Sequence, residues 1–211
     1  MAFQLYDYFR SSASYRVRIA LNLKACDYVR HDISLVEGQQ RSPEHLARNP
    51  QGYVPALDIG EAVLTQSLAI VEWLDATFPE PRLIPAEPLA RARTMAQALL
   101  IACDIHPLNN LGVLRRLKDQ FDADQAGRDD WYRHWVTQGF TALEAQAGDG
   151  AYLGGDAPGI ADVFLVPQMF NARRLETPLE AFPKLVAIDA RACAIPAFAA
   201  AHPDRVGPDL P

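Results

Sequence analysis

The chain has 211 residues, about half of them apolar and spread along its length, so it can bury a stable core without metal or disulfide support. The formal charge of −6 argues against a nucleic-acid partner, which needs clustered Lys and Arg, and implies that an anionic substrate is met by a local basic patch. No apolar run is long enough to cross a bilayer and no charged-then-apolar leader follows Met1, so a membrane role and secretion are not expected. Three well-separated cysteines, Cys26, Cys103 and Cys193, form neither a disulfide framework nor a CxxC motif and fit a reducing cytoplasm.

In chain order, FQLYDYF (3–9) predicts a strand ending in a Ser-rich turn, and YRVRIALNLK predicts a helix with Val17, Ala20, Leu21 and Lys24 on one face. A second strand is expected over 28–35. Ser42-Pro43-Glu44 predicts a helix start, with a cap, a proline at the first helical position and an acid at the positive dipole end. Residues 54–59 and 62–64 flank Gly60 as a hairpin, and Ser67 caps the apolar LAIVEWLDATF helix. The segment 79–88 holds four prolines in ten residues and reads as a stiff linker. Beyond it the pattern is helical at about 89–117, 127–147, 160–175 and 182–192, with Pro107 and Pro167 expected to kink or divide two of these stretches. The organisation is thus an α/β domain over 1–80, a linker over 81–88 and an all-α domain over 89–211, with a ligand expected in the cleft between them.

The turn FRSSASYR places hydroxyls and two arginines where a strand feeds a helix, so backbone N–H groups and the helix dipole favour an anion or thiolate there. On pattern alone, plain helix capping by the serines is the commoner explanation. Asp104-Ile105-His106 reads as a polar wall rather than a metal site, because no other ligand stands at metal spacing. His31, His45, His134 and His202 read as surface residues, the three cysteines as core thiols, and Trp73, Trp131 and Trp135 as helix packing. Arg173-Arg174 fits a carboxylate-binding fork or a solvated helical face equally well.

Together SSASYRVRIALNLK, NP-x-x-x-VPAL, QSLAIVEWL, CDIHPLNNL and LVPQ-x-x-NARR closely resemble zeta-class glutathione transferases, whose bacterial members include maleylacetoacetate and maleylpyruvate isomerases. The resemblance runs nearly end to end. It implies a thioredoxin-like N-terminal domain holding glutathione, an all-helical C-terminal domain and a homodimer. It further implies that Ser11, Ser12, Ala13, Ser14, Tyr15 and Arg16 surround the glutathione thiol, with Ser11 its first-choice hydroxyl donor and Ser12 the second. Gln40 is then expected at the glycyl end, Val54 and a cis Pro55 at the cysteinyl unit, and Gln66 and Ser67 at the γ-glutamyl carboxylate. Asp104, His106, Asn110 and Leu111 occupy family positions near glutathione.

Arg10 and Arg174 are the candidates for the carboxylates of a small diacid, with Arg173 beside them. The implied reaction is addition of the glutathione thiolate to a cis double bond, rotation, and expulsion to leave the trans isomer. A conjugating transferase or dehalogenase, and a non-catalytic binding module of the same fold, are the competing expectations. Two departures stand out: Ala13 replaces the cysteine common in the Ser-Ser-Cys-Ser motif, and Gly159 replaces a hydroxyl-bearing helix cap.

Overall fold

The computed structural model describes residues 2–207, which form two compact units, one of residues 2–83 with 194–207 and the other Ile84–Cys193. In the first unit β1 (Phe3–Asp7), β2 (Tyr28–Asp32), β3 (Ala56–Asp58) and β4 (Val63–Thr65) make one sheet in the order β2-β1-β3-β4. β1 pairs parallel with β2 and antiparallel with β3, and β3 pairs antiparallel with β4. The period of two turns Leu5 and Asp7 inward, both with no exposed surface.

Helix α1 (Ser12–Leu23) lies between β1 and β2, α2 (Pro43–Arg48) precedes β3, and α3 (Ser67–Thr77) follows β4. Val17, Ile19 and Leu21 of α1 and Ile70, Val71 and Leu74 of α3 are wholly buried with Leu5, Ala56 and Leu57, which is the core of this unit. Its rim is closed by Lys24, whose Nζ donates to Asp75 Oδ1 (2.7 Å) and to the carbonyls of Phe78 and Pro81 (2.6 Å each). Phe3, Trp73 and Phe78 meet edge to face beside it.

The second unit runs α4 (Pro88–Leu99), a π-helical turn (Leu100–Ile105), a 3-10 turn (Pro107–Asn109), α5 (Leu111–Phe121), α6 (Gln125–Gln146), α7 (Ile160–Arg174) and α8 (Pro183–Cys193). Then α9 (Pro196–Ala200) and α10 (Pro203–Val206) return to the first unit. The expected helical domain therefore gives its last residues away. Arg18 Nε donates to the Ala201 carbonyl (3.1 Å) and Asn22 Nδ2 to that of Ala197 (2.9 Å), bonds that tie this segment to α1.

α7 is the spine of the second unit, buried from Ile160 through Met169. Pro107 divides the helical stretch as expected, opening the 3-10 turn, but Pro167 sits inside a continuous α7. Close packing on every side outweighs the ~3 kcal/mol a proline costs in a helix interior. α7 starts at Gly159, whose N–H donates to Asp162 Oδ2 (2.9 Å), while Asp162 Oδ1 accepts from Leu153 N (2.9 Å). The missing hydroxyl cap is thus replaced by a carboxylate reaching back from the third helical residue.

Two groups of expectations need correction. His45 is wholly buried, because its Nε2 is 2.8 Å from the Tyr53 carbonyl; a surface place for it is excluded. None of the cysteines is a core thiol: Cys103 is exposed on the π-helical turn, and Cys26 and Cys193 are half-buried. Burial and the neighbouring Asp189 carboxylate push Cys193 up to about 12, so it is inert as a thiolate near neutrality.

Candidate active site

The site in the first unit begins where β1 ends. Ser11 N donates to the Tyr8 carbonyl (2.8 Å), closing a tight turn, and Ser11 is the extended N-cap of α1, its Oγ accepting from Ser14 N (3.2 Å). Capping and chemistry are compatible here, since the cap uses Ser11 Oγ as an acceptor and leaves its O–H hydrogen for a ligand. Ser11 is half-buried, whereas Ser12, Ser14, Tyr15 and Arg16 are buried, so Ser11 and Ala13 form the open side of the turn and the other side chains back it. Arg10 is exposed, with its guanidinium 5.0 Å from the Phe9 ring centre.

A second cluster lies at the start of α3. Ser67 Oγ accepts from Arg16 Nη1 (3.3 Å), which leaves the Ser67 hydrogen to donate outward beside the helix N-terminus. Gln66 before it has φ +67° and ψ +113°, and its Nε2 donates to Gln51 Oε1 (2.8 Å). A non-glycine residue held there is backbone strain of the kind that collects at ligand sites. The Val54-Pro55 peptide is cis, as the resemblance implied, and the Tyr53 carbonyl before it is held by His45 Nε2 and Asn49 Nδ2.

Gln40 lies on a 3-10 turn (Gln39–Arg41), with Oε1 buried and unmatched among the described residues. Its carbonyl would stand 3.2 Å from a side-chain carbon at Gly52, whose φ is +65°, so glycine is required at that close approach. Helix N-termini at Ser11 and Ser67 suit a ligand that carries a thiolate and a carboxylate.

The second unit holds the other candidates. Asp104 is exposed on the π-helical turn, and His106 follows it, half-buried. Such a turn often marks a functional position in a helix. Asn110 caps α5, its Oδ1 accepting from Val113 N (3.0 Å) and its Nδ2 donating to the Pro107 carbonyl (2.6 Å), so its amide is already engaged at both ends. Leu111 is 55 % exposed.

At the end of α7 the two arginines separate. Both are exposed, but Arg173 Nη1 is bound to the buried Asp189 Oδ2 (2.6 Å), a structural pairing, while Arg174 lies near Tyr132, whose hydroxyl is pushed up by burial and only partly brought back by the Arg174 charge. The double-arginine pattern could not make this distinction, because the partner, Asp189, lies a helix away. Sequence reasoning also missed the Arg16–Ser67 bond and the Gln51–Gln66 bond, which have no local signal. Among the described residues no group of three His, Cys, Asp or Glu side chains could hold a metal ion.

Comparison with known proteins places this geometry. Residues 5–82 match the glutathione S-transferase N-terminal domain and residues 125–188 the C-terminal domain. The chain is 49 % identical over 207 residues to a maleylacetoacetate isomerase of Rhizobium meliloti, covering 97 % of each. It is 42 % identical to the holo structure of a bacterial maleylpyruvate isomerase of the zeta class, with a TM-score of 0.95 over 99 % of this chain and 100 % of that one. A maleylacetoacetate isomerase from Anaeromyxobacter dehalogenans, solved with glutathione bound in its active site, superposes with a TM-score of 0.88 at 40 % identity, covering 100 % of this chain and 98 % of the other. The chain belongs to the glutathione S-transferase family, among the zeta-class enzymes of the maleylacetoacetate isomerase type.

Proposed function

We propose that this protein is a cytoplasmic, homodimeric, glutathione-dependent cis–trans isomerase of maleylacetoacetate or maleylpyruvate. The observation that carries the reading is the half-buried Ser11 hydroxyl at the N-terminus of α1, its oxygen used in the cap and its hydrogen left to donate. Bound glutathione supplies a sulfur nucleophile that adds to the cis double bond and leaves after rotation about the resulting single bond, returning unchanged.

The chain's own residues supply the rest. Ser11, with Ser12 as second choice, and the N–H groups at the start of α1 lower the thiol's pKa. Ser67, oriented by Arg16, and Gln66 hold the γ-glutamyl carboxylate; the Val54 backbone before Pro55 aligns the cysteinyl unit; Gln40 receives the glycyl end. Asp104, His106, Asn110 and Leu111 complete the cofactor's surroundings. Arg10 and Arg174 bind the diacid's carboxylates, so that the enolate-like charge and the rotating fragment are both restrained. Ala13 removes a polar thiol from the turn without removing a donor to the sulfur. The cytoplasmic assignment draws on the three free cysteines, and among the described residues no helix is long and apolar enough to cross a membrane.

The test follows the ultraviolet absorbance of maleylacetoacetate and of maleylpyruvate with enzyme, with and without catalytic glutathione, while free thiol is titrated. Turnover that needs glutathione and leaves its concentration unchanged supports the isomerase and chooses between the diacids. Stoichiometric loss of thiol with a halogenated acid points instead to conjugation, and binding without turnover to a non-catalytic module.

A further inference from the structure

The first unit contains a buried ionic hub that the proposed chemistry does not use. Asp7, the wholly buried last residue of β1, accepts from Arg18 Nη1 through Oδ2 (2.6 Å) and from Arg30 Nη2 through Oδ1 (3.0 Å). The Arg18 guanidinium, also wholly buried, reaches two further oxygens: Nη2 donates to the Phe9 carbonyl (3.0 Å) and Nε to the Ala201 carbonyl (3.1 Å). Arg30 Nη1 donates to the Val206 carbonyl (2.6 Å). One planar fork thus bridges the chain's last helices and the carbonyl two residues before Ser11, inside the turn closed by Ser11 N and Tyr8 O. A planar group with fixed donors passes on displacement of either end, because its bonds cannot reorient singly. A buried charge with three acceptors also has no cheaper alternative arrangement.

We propose that Arg18 is a positioning residue for the Ser11 turn, and that residues 194–207 set the geometry of that turn through it. The inference rests on the reading that Ser11 serves the glutathione sulfur. The segment is held independently by Phe198, which is wholly buried, by the Tyr15–His202 ring contact, and by Asn22 Nδ2 on the Ala197 carbonyl. It can therefore be loosened without touching Asp7, Arg18 or Ser11.

The experiment titrates the ultraviolet thiolate absorbance of glutathione bound to the full-length enzyme and to three variants, alongside kcat and KM. Arg18→Lys keeps the charge near Asp7 but offers one nitrogen where three acceptors stand, and Phe198→Ala loosens the segment. Both are expected to raise the bound thiol's pKa by about one unit, which leaves up to about tenfold less thiolate at neutral pH. Lys24→Ala breaks the bonds to Asp75, Phe78 and Pro81 in the same unit without loosening residues 194–207, and is expected to lower thermal stability while leaving the thiol's pKa in place. Should Arg18→Lys fail to fold, Phe198→Ala decides the matter. A wild-type thiol pKa in whichever of these two folds, or an equal rise in Lys24→Ala, overturns the inference while the isomerase reading stands. A wild-type protein that binds no glutathione overturns both.

Discussion

At the scale of single residues, the competing explanations of the Ser-rich turn prove not to be exclusive. Ser11 Oγ is at once a helix cap and a free donor, so Ser11→Ala removes two things of different size. Loss of the cap costs about 1 kcal/mol of stability, whereas loss of a donor aimed at developing charge costs about two to three powers of ten in kcat/KM. Ser11→Thr, which keeps the hydroxyl, is expected to recover most of the rate, while Ser12→Ala is expected to act mainly on stability because Ser12 is buried. Steady-state kinetics beside thermal unfolding separate the two effects. Gln66 offers the reverse case. At φ +67° it carries strain of about 1–3 kcal/mol, which glycine does not feel. Gln66→Gly is therefore expected to be at least as stable as wild type in urea while its KM for glutathione rises, since the side chain that bonds Gln51 is lost. A fall in stability with unchanged KM would show that the Gln66 conformation has no bearing on the ligand.

At the scale of elements, α7 depends on Asp162. Its carboxylate is buried, and burial raises it to about 6, although it accepts from Gly159 N and Leu153 N. The folded value lies above the unfolded one of about 3.9, so the native state holds this proton more tightly. Its contribution to stability is then greatest below pH ~4 and declines as pH rises through about 6, a change on the order of 3 kcal/mol. Unfolding free energies measured across that window should fall in wild type and stay flatter in Asp162→Asn. Asp162→Ala should lose about 1–3 kcal/mol for each buried N–H left without an acceptor. A wild-type slope no steeper than that of Asp162→Asn would refute the assignment. The same element shows how far the sequence can be read. The helical pattern over 160–175 marks the span of α7, and Ser42-Pro43-Glu44 marks the first turn of α2, because caps and periodicity are local signals. Local reasoning fails where distant partners decide. Pro167 reads as a helix breaker, yet tertiary packing keeps α7 whole, and Arg173 and Arg174 are indistinguishable until Asp189 claims one of them. His45 reads as a surface group for the same reason, its partner being the Tyr53 carbonyl on the far side of a turn.

At the scale of the whole molecule, the homodimer proposal turns on how Tyr53 is presented. Scattered exposed apolar side chains are normal on a monomer, but Tyr53 is 57 % exposed on a backbone fixed by His45 Nε2 (2.8 Å) and Asn49 Nδ2 (2.9 Å) at its carbonyl. A large aromatic group with its main chain already ordered loses little entropy on docking, which is the character of an interface anchor. Val54, proposed to align glutathione through its backbone, is the next residue, so dimer contact and cofactor affinity are expected to move together. Light scattering should give twice the chain mass for the wild type. Tyr53→Ala should shift the population toward single chains as the protein is diluted, and its KM for glutathione should rise over the same concentration range. His45→Ala, which releases the carbonyl but leaves the ring, should weaken both in the same direction. Dissociation of Tyr53→Ala with an unchanged KM would uncouple the interface from the site, and a wild type that remains a single chain would remove the homodimer while leaving the isomerase chemistry of the first unit to be judged by its own test.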